Sequence, residues 1–363
     1  MKFIHIADMH FDCPFTNLSD KENFGEIRRL EQRKAFKQII NYIKENDINY
    51  LFIAGDLYEQ KYIKKTTIEY INNLFKEIPN TQIYITPGNH DPLIKSSFYN
   101  NFLWNSNVHI FGESLEIIKN SETDIYGYGF NDYYLKEEKI NKINIENKEK
   151  INILITHGTL DGASLEEREY NSMSRKILEE KGFDYIALGH IHKTNYEESE
   201  NIIYPGSTVA IGFDELGKHG MVEGEIINKK LITKFIPLET TEFKEYELDI
   251  TEVISKEELI EKLNEIKLEE NKLYKIILTG KRNFEINTYE LYKYNLDNKI
   301  IKIKEKTKPN YNLEKLANEI TLKGLFAQEI INRLNKCQTE EERKIIEKAI
   351  EIGIDVLEWY IWK

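Results

Sequence analysis

The sequence predicts an α/β layered domain over residues 1–240, a small α+β module over 241–309 and a helical segment over 310–363. Two observations predict it. Short apolar, β-branched runs alternate with helix-patterned segments, as expected of strands buried on both faces of a sheet. Each of those runs is followed at once by Asp, Asn or His beside Gly, and α/β folds gather ligand-binding groups at the carboxyl ends of their strands.

The elements follow in order. Phe3-Ile4-His5-Ile6-Ala7 reads as the first strand. A helix is expected over 26–46, where Ile27, Leu30, Phe36, Ile39, Ile40 and Ile43 recur mostly at three- and four-residue steps. Tyr50-Leu51-Phe52-Ile53-Ala54, Gln82-Ile83-Tyr84-Ile85-Thr86, Ile151-Asn152-Ile153-Leu154-Ile155 and Tyr185-Ile186-Ala187-Leu188 read as further strands. From Phe243 the composition turns to dense Lys and Glu, with strands expected over 244–250, 273–279 and 299–306. Ser255-Lys256-Glu257-Glu258 has the form of a capping box and opens a helix running to about residue 268. Beyond Pro309 the pattern is helical and ends in a long segment over 340–362.

Composition narrows the class. A chain of 363 residues fits two or three domains, and 40% hydrophobic content excludes wholesale disorder. The 50 basic against 62 acidic residues give a net charge of −12, which argues against nonspecific coating of nucleic acid. It leaves open phosphate binding through metal ions and a local basic strip. No run approaches the ~18 apolar residues of a membrane helix. The first residues lead straight into a motif, so no signal peptide is expected. The only cysteines, Cys13 and Cys337, rule out a disulfide framework and fit a reducing cytoplasm.

Five runs deliver the chemistry: Asp8-Met9-His10, Gly55-Asp56, Gly88-Asn89-His90-Asp91, Thr156-His157-Gly158 and Gly189-His190-Ile191-His192. A lone histidine is more often a satisfied core or surface residue, and His5, His109 and His219 are read that way. Five histidines at strand ends beside Asp and Gly are not. Mixed carboxylate, amide and imidazole donors suit Mn, Fe or Zn. Seven of them (Asp8, His10, Asp56, Asn89, His157, His190 and His192) are too many for one ion and fit two ions sharing a carboxylate. Such a pair, ~3.5–4 Å apart, suits phosphoryl transfer.

In this order the five motifs resemble the calcineurin-type metallophosphoesterase superfamily over about the first 210 residues. The resemblance implies one metal on Asp8, His10 and His192, a second on Asn89, His157 and His190, and Asp56 bridging them. It makes His90 the catalytic histidine at the leaving oxygen, oriented by Asp91. Gly55-Asp56-Leu57-Tyr58 lacks the Asp-Arg-Gly of the phosphoprotein phosphatases. The stretch His5 to Phe15, with Pro205-Gly206-Ser207, Gly212-Phe213-Asp214-Glu215 and Lys218-His219-Gly220, resembles the DNA-repair nuclease branch, comprising SbcD-type nuclease subunits and YhaO-type proteins. That branch implies a four-layer α/β/β/α core, a capping module, a C-terminal helical segment, dimerisation and an SMC-like ABC ATPase partner of the SbcC type.

The expected activity is therefore two-metal hydrolysis of DNA phosphodiesters, exonucleolytic or endonucleolytic. Manganese is the expected metal, with iron, zinc or magnesium as alternatives. Two other readings stand beside it: a phosphoesterase for nucleotides, cyclic nucleotides or other small diesters, and a metal-stabilised scaffold that recruits an ATPase. For DNA contacts the sequence offers Lys61, Lys64 and Lys65 near the Gly-Asp motif, Tyr58 and Tyr62 as base-stacking rings, and the Lys302 and Lys304 strip. A solvated strand face explains the strip as well. Leu357, Trp359, Tyr360, Ile361 and Trp362 form either a docked core or a partner-binding patch.

Overall fold

Side-chain alternation along the early strands sets up the layers. In the first strand, Ile4 and Ile6 join one apolar cluster, while Phe3 joins another and His5 reaches Tyr185. The computed structural model describes residues 1–15, 23–136, 139–162 and 170–361. The chain divides into two units, Met1–Lys244 and Glu245–Lys363.

The first half of unit one runs β1 (Lys2–Ile6), α1 (Phe24–Glu45), β2 (Tyr50–Ala54), α2 (Lys65–Lys76), β3 (Gln82–Thr86), α3 (Phe98–Asn101) and β4 (Val108–Ile110). It continues through β5 (Glu116–Lys119), β6 (Thr123–Gly127), β7 (Ile151–His157), α4 (Arg175–Lys181), β8 (Tyr185–Gly189), β9 (Ile202–Ile203), β10 (Gly220–Ile227) and β11 (Lys230–Pro237). Two sheets result, ordered β11-β10-β1-β2-β3-β4 and β5-β6-β7-β8-β9. Strands β1 to β4 are parallel in the first sheet, and β6 to β9 in the second.

Between the sheets lie Phe3, Phe52, Tyr84, Ile125, Ile153, Ile155, Tyr185 and Val222. The outer face of the first sheet is covered by Ala35, Phe36, Ile39, Ile40 and Ile43 of α1 and by Ile68, Ile71, Leu74 and Phe75 of α2. The outer face of the second is covered by Leu178 of α4 together with Ile140 and Ile143. The order is thus α/β/β/α, as the resemblance implies. The β10–β11 hairpin turns at Asn228 and Lys229, both left-handed (φ 50° and 66°), which matches strand twist in two-residue turns.

In the second unit, β12 (Glu242–Asp249), which straddles the boundary, pairs with β13 (Lys272–Thr279), and β13 pairs in parallel with β15 (Ile300–Glu305). Between these lie α5 (Lys256–Glu265), β14 (Lys281–Arg282) and α6 (Thr288–Leu291). β16 (Lys308–Pro309) pairs with β14. Ser255 caps α5 by accepting from the Glu258 amide at 3.2 Å, while the Glu258 carboxylate accepts from the Ile254 amide at 2.9 Å. The chain then runs through α7 (Leu313–Ala317), α8 (Leu322–Lys336) and α9 (Glu340–Ile361). Gly353 lets the Phe326 ring approach α9 where a Cβ would collide with it. Trp362 and the side chains of Trp359, Tyr360 and Ile361 lie outside the described residues. Among the described residues no helix is long and apolar enough to cross a membrane.

Candidate metal centre

The ends of β1, β2, β3, β7 and β8 converge, so side chains from both sheets meet at one site. Four of the residues there have left-handed backbones: Asp8 (φ 52°), His10 (48°), Asp56 (51°) and His190 (105°). Non-glycine residues hold this conformation only where their surroundings enforce it. Here hydrogen bonds enforce it: the Asp8 amide donates to Gly55 O (3.1 Å), the His10 amide to Asp56 O (2.9 Å) and the His190 amide to Asp8 Oδ1 (3.0 Å). Gly55 is itself left-handed (φ 87°), and a Cβ there would strike the His157 ring.

The side chains fall into three overlapping sets: Asp8, His10 and His192; Asp56, His157 and His190; and His10, Asp56 and His90. Within each set the nearest donor atoms lie within 4.8 Å of one another. Asp56 Oδ2 sits 3.2 Å from His157 Nε2 and 3.8 Å from His10 Nε2, so one carboxylate faces both sides. Asn89 Oδ1 lies 3.0 Å from His157 Nε2 and 3.2 Å from His190 Nδ1.

Proton placement tests whether this set fits cations. His10 Nδ1 meets Glu59 Oε1 at 2.8 Å, and His192 Nδ1 meets Glu215 Oε1 at 2.7 Å. A neutral imidazole places its one proton on the nitrogen facing the carboxylate, so both Nε2 atoms are lone-pair acceptors. Those two Nε2 atoms face each other at 3.0 Å. Likewise His157 Nδ1 donates to Ala54 O at 2.9 Å, turning its Nε2 lone pair toward two oxygens. Converging acceptors with no donor repel one another unless a cation stands between them. The donor set fits two divalent ions.

The titration pattern agrees. Burial opposes charge on His157 and His192, yet Asp56 on the one and Glu215 with Asp8 on the other raise both to about 9. Burial likewise opposes ionisation of Asp56, but the His157 charge and hydrogen bond hold it well below the usual carboxylate range. His190 is pushed down to about 3 by burial and by the neighbouring His157. The site demands positive charge, which protons supply when metal does not.

Asp8, His10, Asp56, Asn89, His90, His157, His190 and His192 are brought together as the motifs suggest. Two expectations are corrected. Asp91 does not orient the His90 ring. It is fully buried and accepts from the Gly88 (2.6 Å), Leu57 (2.7 Å) and Asp56 (3.1 Å) amides and from Tyr99 Oη (2.6 Å), so it ties the β2 and β3 loops together. The His90 ring instead bonds Glu59 Oε2 through Nδ1 at 3.0 Å. Tyr58 is no stacking platform: its ring is buried in the core and its hydroxyl pairs with Ser97 Oγ at 2.9 Å. Tyr62, Lys61, Lys64 and Lys65 are exposed on the loop before α2 and at its start. Lys302 and Lys304 are exposed on β15 in the second unit. Sequence reasoning missed Glu59 and assigned no role to Glu215.

A family description for calcineurin-like phosphoesterases matches residues 1–194. An uncharacterized metallophosphoesterase of Bacillus subtilis (strain 168), YhaO, is 26% identical over 264 residues, covering 69% of this chain and 64% of that protein. The chain thus spans less than two thirds of that relative's length. The SbcD component of the nuclease SbcCD of Staphylococcus saprophyticus is 26% identical over 308 residues, covering 76% of this chain and 77% of that protein. Among solved structures, the purple acid phosphatase PPD1 from yellow lupin seeds aligns with a TM-score of 0.40 and 15% identity, over 65% of this chain and 51% of that one.

Proposed function

Because the chain belongs to the calcineurin-like phosphoesterase family, we propose that it is a two-metal phosphodiesterase that cleaves DNA. The observation that carries the chemistry is the convergence of acceptor atoms from five strand ends on two adjoining cation sites. In this reading Asp8, His10 and His192 hold one cation, Asn89, His157 and His190 hold the other, and Asp56 serves both. When bound, the cations offset charge developing on the phosphoryl oxygens.

The chain's own residues supply the rest. His90 stands beside these donors with its Nδ1 bonded to Glu59 Oε2 at 3.0 Å. Burial opposes its charge, but the hydrogen bond to Glu59 and the carboxylates of Asp56 and Asp91 raise it to about 9 in the metal-free site, which favours the protonated ring. With Nδ1 held by Glu59, Nε2 is the nitrogen left to deliver that proton to the leaving oxygen. Its side chain is 45% exposed, open to a substrate.

Three features support DNA over a small diester. The relative named as a nuclease component aligns over 308 residues, well past the 194 that carry the hydrolytic domain. Lys61, Lys64 and Lys65 follow the Gly-Asp motif directly, and Lys302 and Lys304 add an exposed basic face in the second unit. The helical tail supports a partner: Leu322 and Leu325 of α8 and Ile352 and Val356 of α9 are exposed apolar residues around Phe326 and Gly353. An SMC-like ABC ATPase is the partner this reading assigns to that strip.

The test is Mn-dependent hydrolysis of labelled duplex and single-stranded DNA beside bis-p-nitrophenyl phosphate and cyclic nucleotides. DNA cleaved with a far higher kcat/KM than the small diesters supports the reading. A preference for cyclic nucleotides moves the small-molecule reading ahead.

A further inference from the structure

Both cations' histidines need something behind them, and the two sites are built differently. His157 leans on a main-chain carbonyl, Ala54 O. His10 and His192 each lean on a glutamate. The two glutamates differ in turn. Glu215 contacts His192, Ser207 Oγ (2.5 Å) and the Ile211 amide (3.1 Å), and its carbonyl meets His219 Nε2 at 3.0 Å. Glu59 instead splits its carboxylate: Oε1 holds His10 and Oε2 holds His90. The two rings it holds stand edge to face, 4.8 Å apart.

Glu59 is well placed for this double task. Its side chain is 14% exposed, its amide donates to Phe11 O at 3.0 Å, and the next amide, of Gln60, donates to His90 O at 2.9 Å. The segment carrying Glu59 is therefore laced both to the loop after β1 and to His90 itself.

We propose that Glu59 is a positioning residue shared by His10 and His90, tying the strength of the Asp8–His10–His192 cation site to the geometry of proton delivery. This deepens the metal-dependent hydrolysis proposed above and rests on it. A carboxylate offers an acceptor to each ring at once. An amide of the same shape offers one, so Glu59→Gln must abandon either His10 or His90, or hold both poorly.

The experiment uses the full chain, with manganese titrated into metal-free protein and bis-p-nitrophenyl phosphate as substrate. Glu215→Gln serves as the control, because Glu215 holds His192 but neither His10 nor His90. Both variants should bind the weaker-held manganese ~10–100-fold less tightly. Excess manganese should restore kcat in Glu215→Gln but leave Glu59→Gln ~10–100-fold down, with KM little changed. In a His90→Asn background, Glu59→Gln should cost no further kcat at saturating manganese, because the ring it acts through is gone. Full recovery of Glu59→Gln by manganese, unchanged manganese affinity, or an undiminished cost in the His90→Asn background each overturns the proposal. Should Glu59→Gln fail to fold, Glu59→Asp keeps the charge but withdraws it by one methylene, and it should show both losses at smaller size. A wild-type protein that hydrolyses no diester overturns the functional reading instead, and the manganese titrations then decide the role of Glu59.

Discussion

His10 and His192 point their Nε2 lone pairs at each other across 3.0 Å, each with its Nδ1 committed to a glutamate. Between two acceptors that close stands either a proton or a cation, and a cation held by the folded site alone links metal binding to folding. A cation present at 100 times its dissociation constant stabilises by about 2.7 kcal/mol. Chelation of the bound ions should therefore lower the unfolding temperature by several degrees. Asp56→Asn should lower occupancy of both ions, because Asp56 faces histidines on both sides, whereas His192→Ala should loosen mainly one. Metal analysis that finds two ions at wild-type affinity in Asp56→Asn would refute the sharing.

His90→Asn separates chemistry from binding. Among the described residues the ring's side-chain hydrogen bond at the site is to Glu59, so its loss should leave two ions and DNA binding in place. General acid assistance is worth ~10²–10⁴ in rate, and turnover should fall within that range. Loss of an ion from this variant would make His90 a ligand, in line with its place 4.8 Å or less from His10 and Asp56 donor atoms.

Asp91→Ala should behave as a stability mutation. Four buried donors, three of them backbone amides, would lose their acceptor. Each unsatisfied donor costs ~1–3 kcal/mol, so a total of at least 3 kcal/mol is expected even without full additivity. Tyr99→Phe removes one donor and keeps the acceptor, and should cost about 1 kcal/mol. Urea unfolding of both variants provides the comparison. Equal, small losses would return Asp91 to an orienting role.

The site was legible because the relevant residues follow their strands within three or four positions. Asp8, Asp56, Asn89, His157 and His190 needed no knowledge of tertiary contacts. Glu59 and Glu215 were not legible for the opposite reason. Among 62 acidic residues, a glutamate three positions past Asp56 carries no local mark, and what it does depends on His90 arriving from another loop. Asp91 misled by adjacency: it neighbours His90 in sequence, but its carboxylate turns inward to the β2 and β3 loops. The β10–β11 hairpin escaped because its turn is Asn228-Lys229, without the glycine that usually signals such turns.

His5 supplies a pH dependence away from the metals. Burial, only partly opposed by the Leu188 carbonyl, pushes its imidazole down to about 3, and its Nδ1 pairs with Tyr185 Oη at 2.8 Å. The folded state thus requires the neutral ring, while the unfolded chain takes up a proton below about pH 6.5. This contribution to stability is complete above pH 6.5 and is lost as pH falls toward 3. At pH 5 the loss amounts to about 2 kcal/mol. Urea unfolding at pH 7.5 and 5.0 should show a smaller pH loss in His5→Gln than in wild type. Equal losses would mean that another group governs the acid response.

The division at Lys244 fixes where a truncation tests the modular reading. A cut near Pro237 would remove Phe243, which is fully buried against Phe213 and beside the Arg28 guanidinium. It would also remove the Thr241 amide that donates to Glu31. Ending the chain after Lys244 keeps these contacts, and all of the candidate ligands lie before residue 193. That truncation should bind its two ions and hydrolyse bis-p-nitrophenyl phosphate at close to the full-length rate. Its activity on long DNA should fall, most at low salt, because lysine–phosphate contacts act through counterion release, which weakens as salt rises. Lys302 and Lys304 are the exposed pair to test within the intact chain: charge reversal of both should reproduce part of the fall and lower the salt slope by about 2. The deciding quantity is the ratio of DNA to small-diester cleavage in the full-length and shortened proteins. If a well-folded truncation keeps that ratio, the second unit does not engage DNA, and the small-molecule phosphodiesterase becomes the better reading.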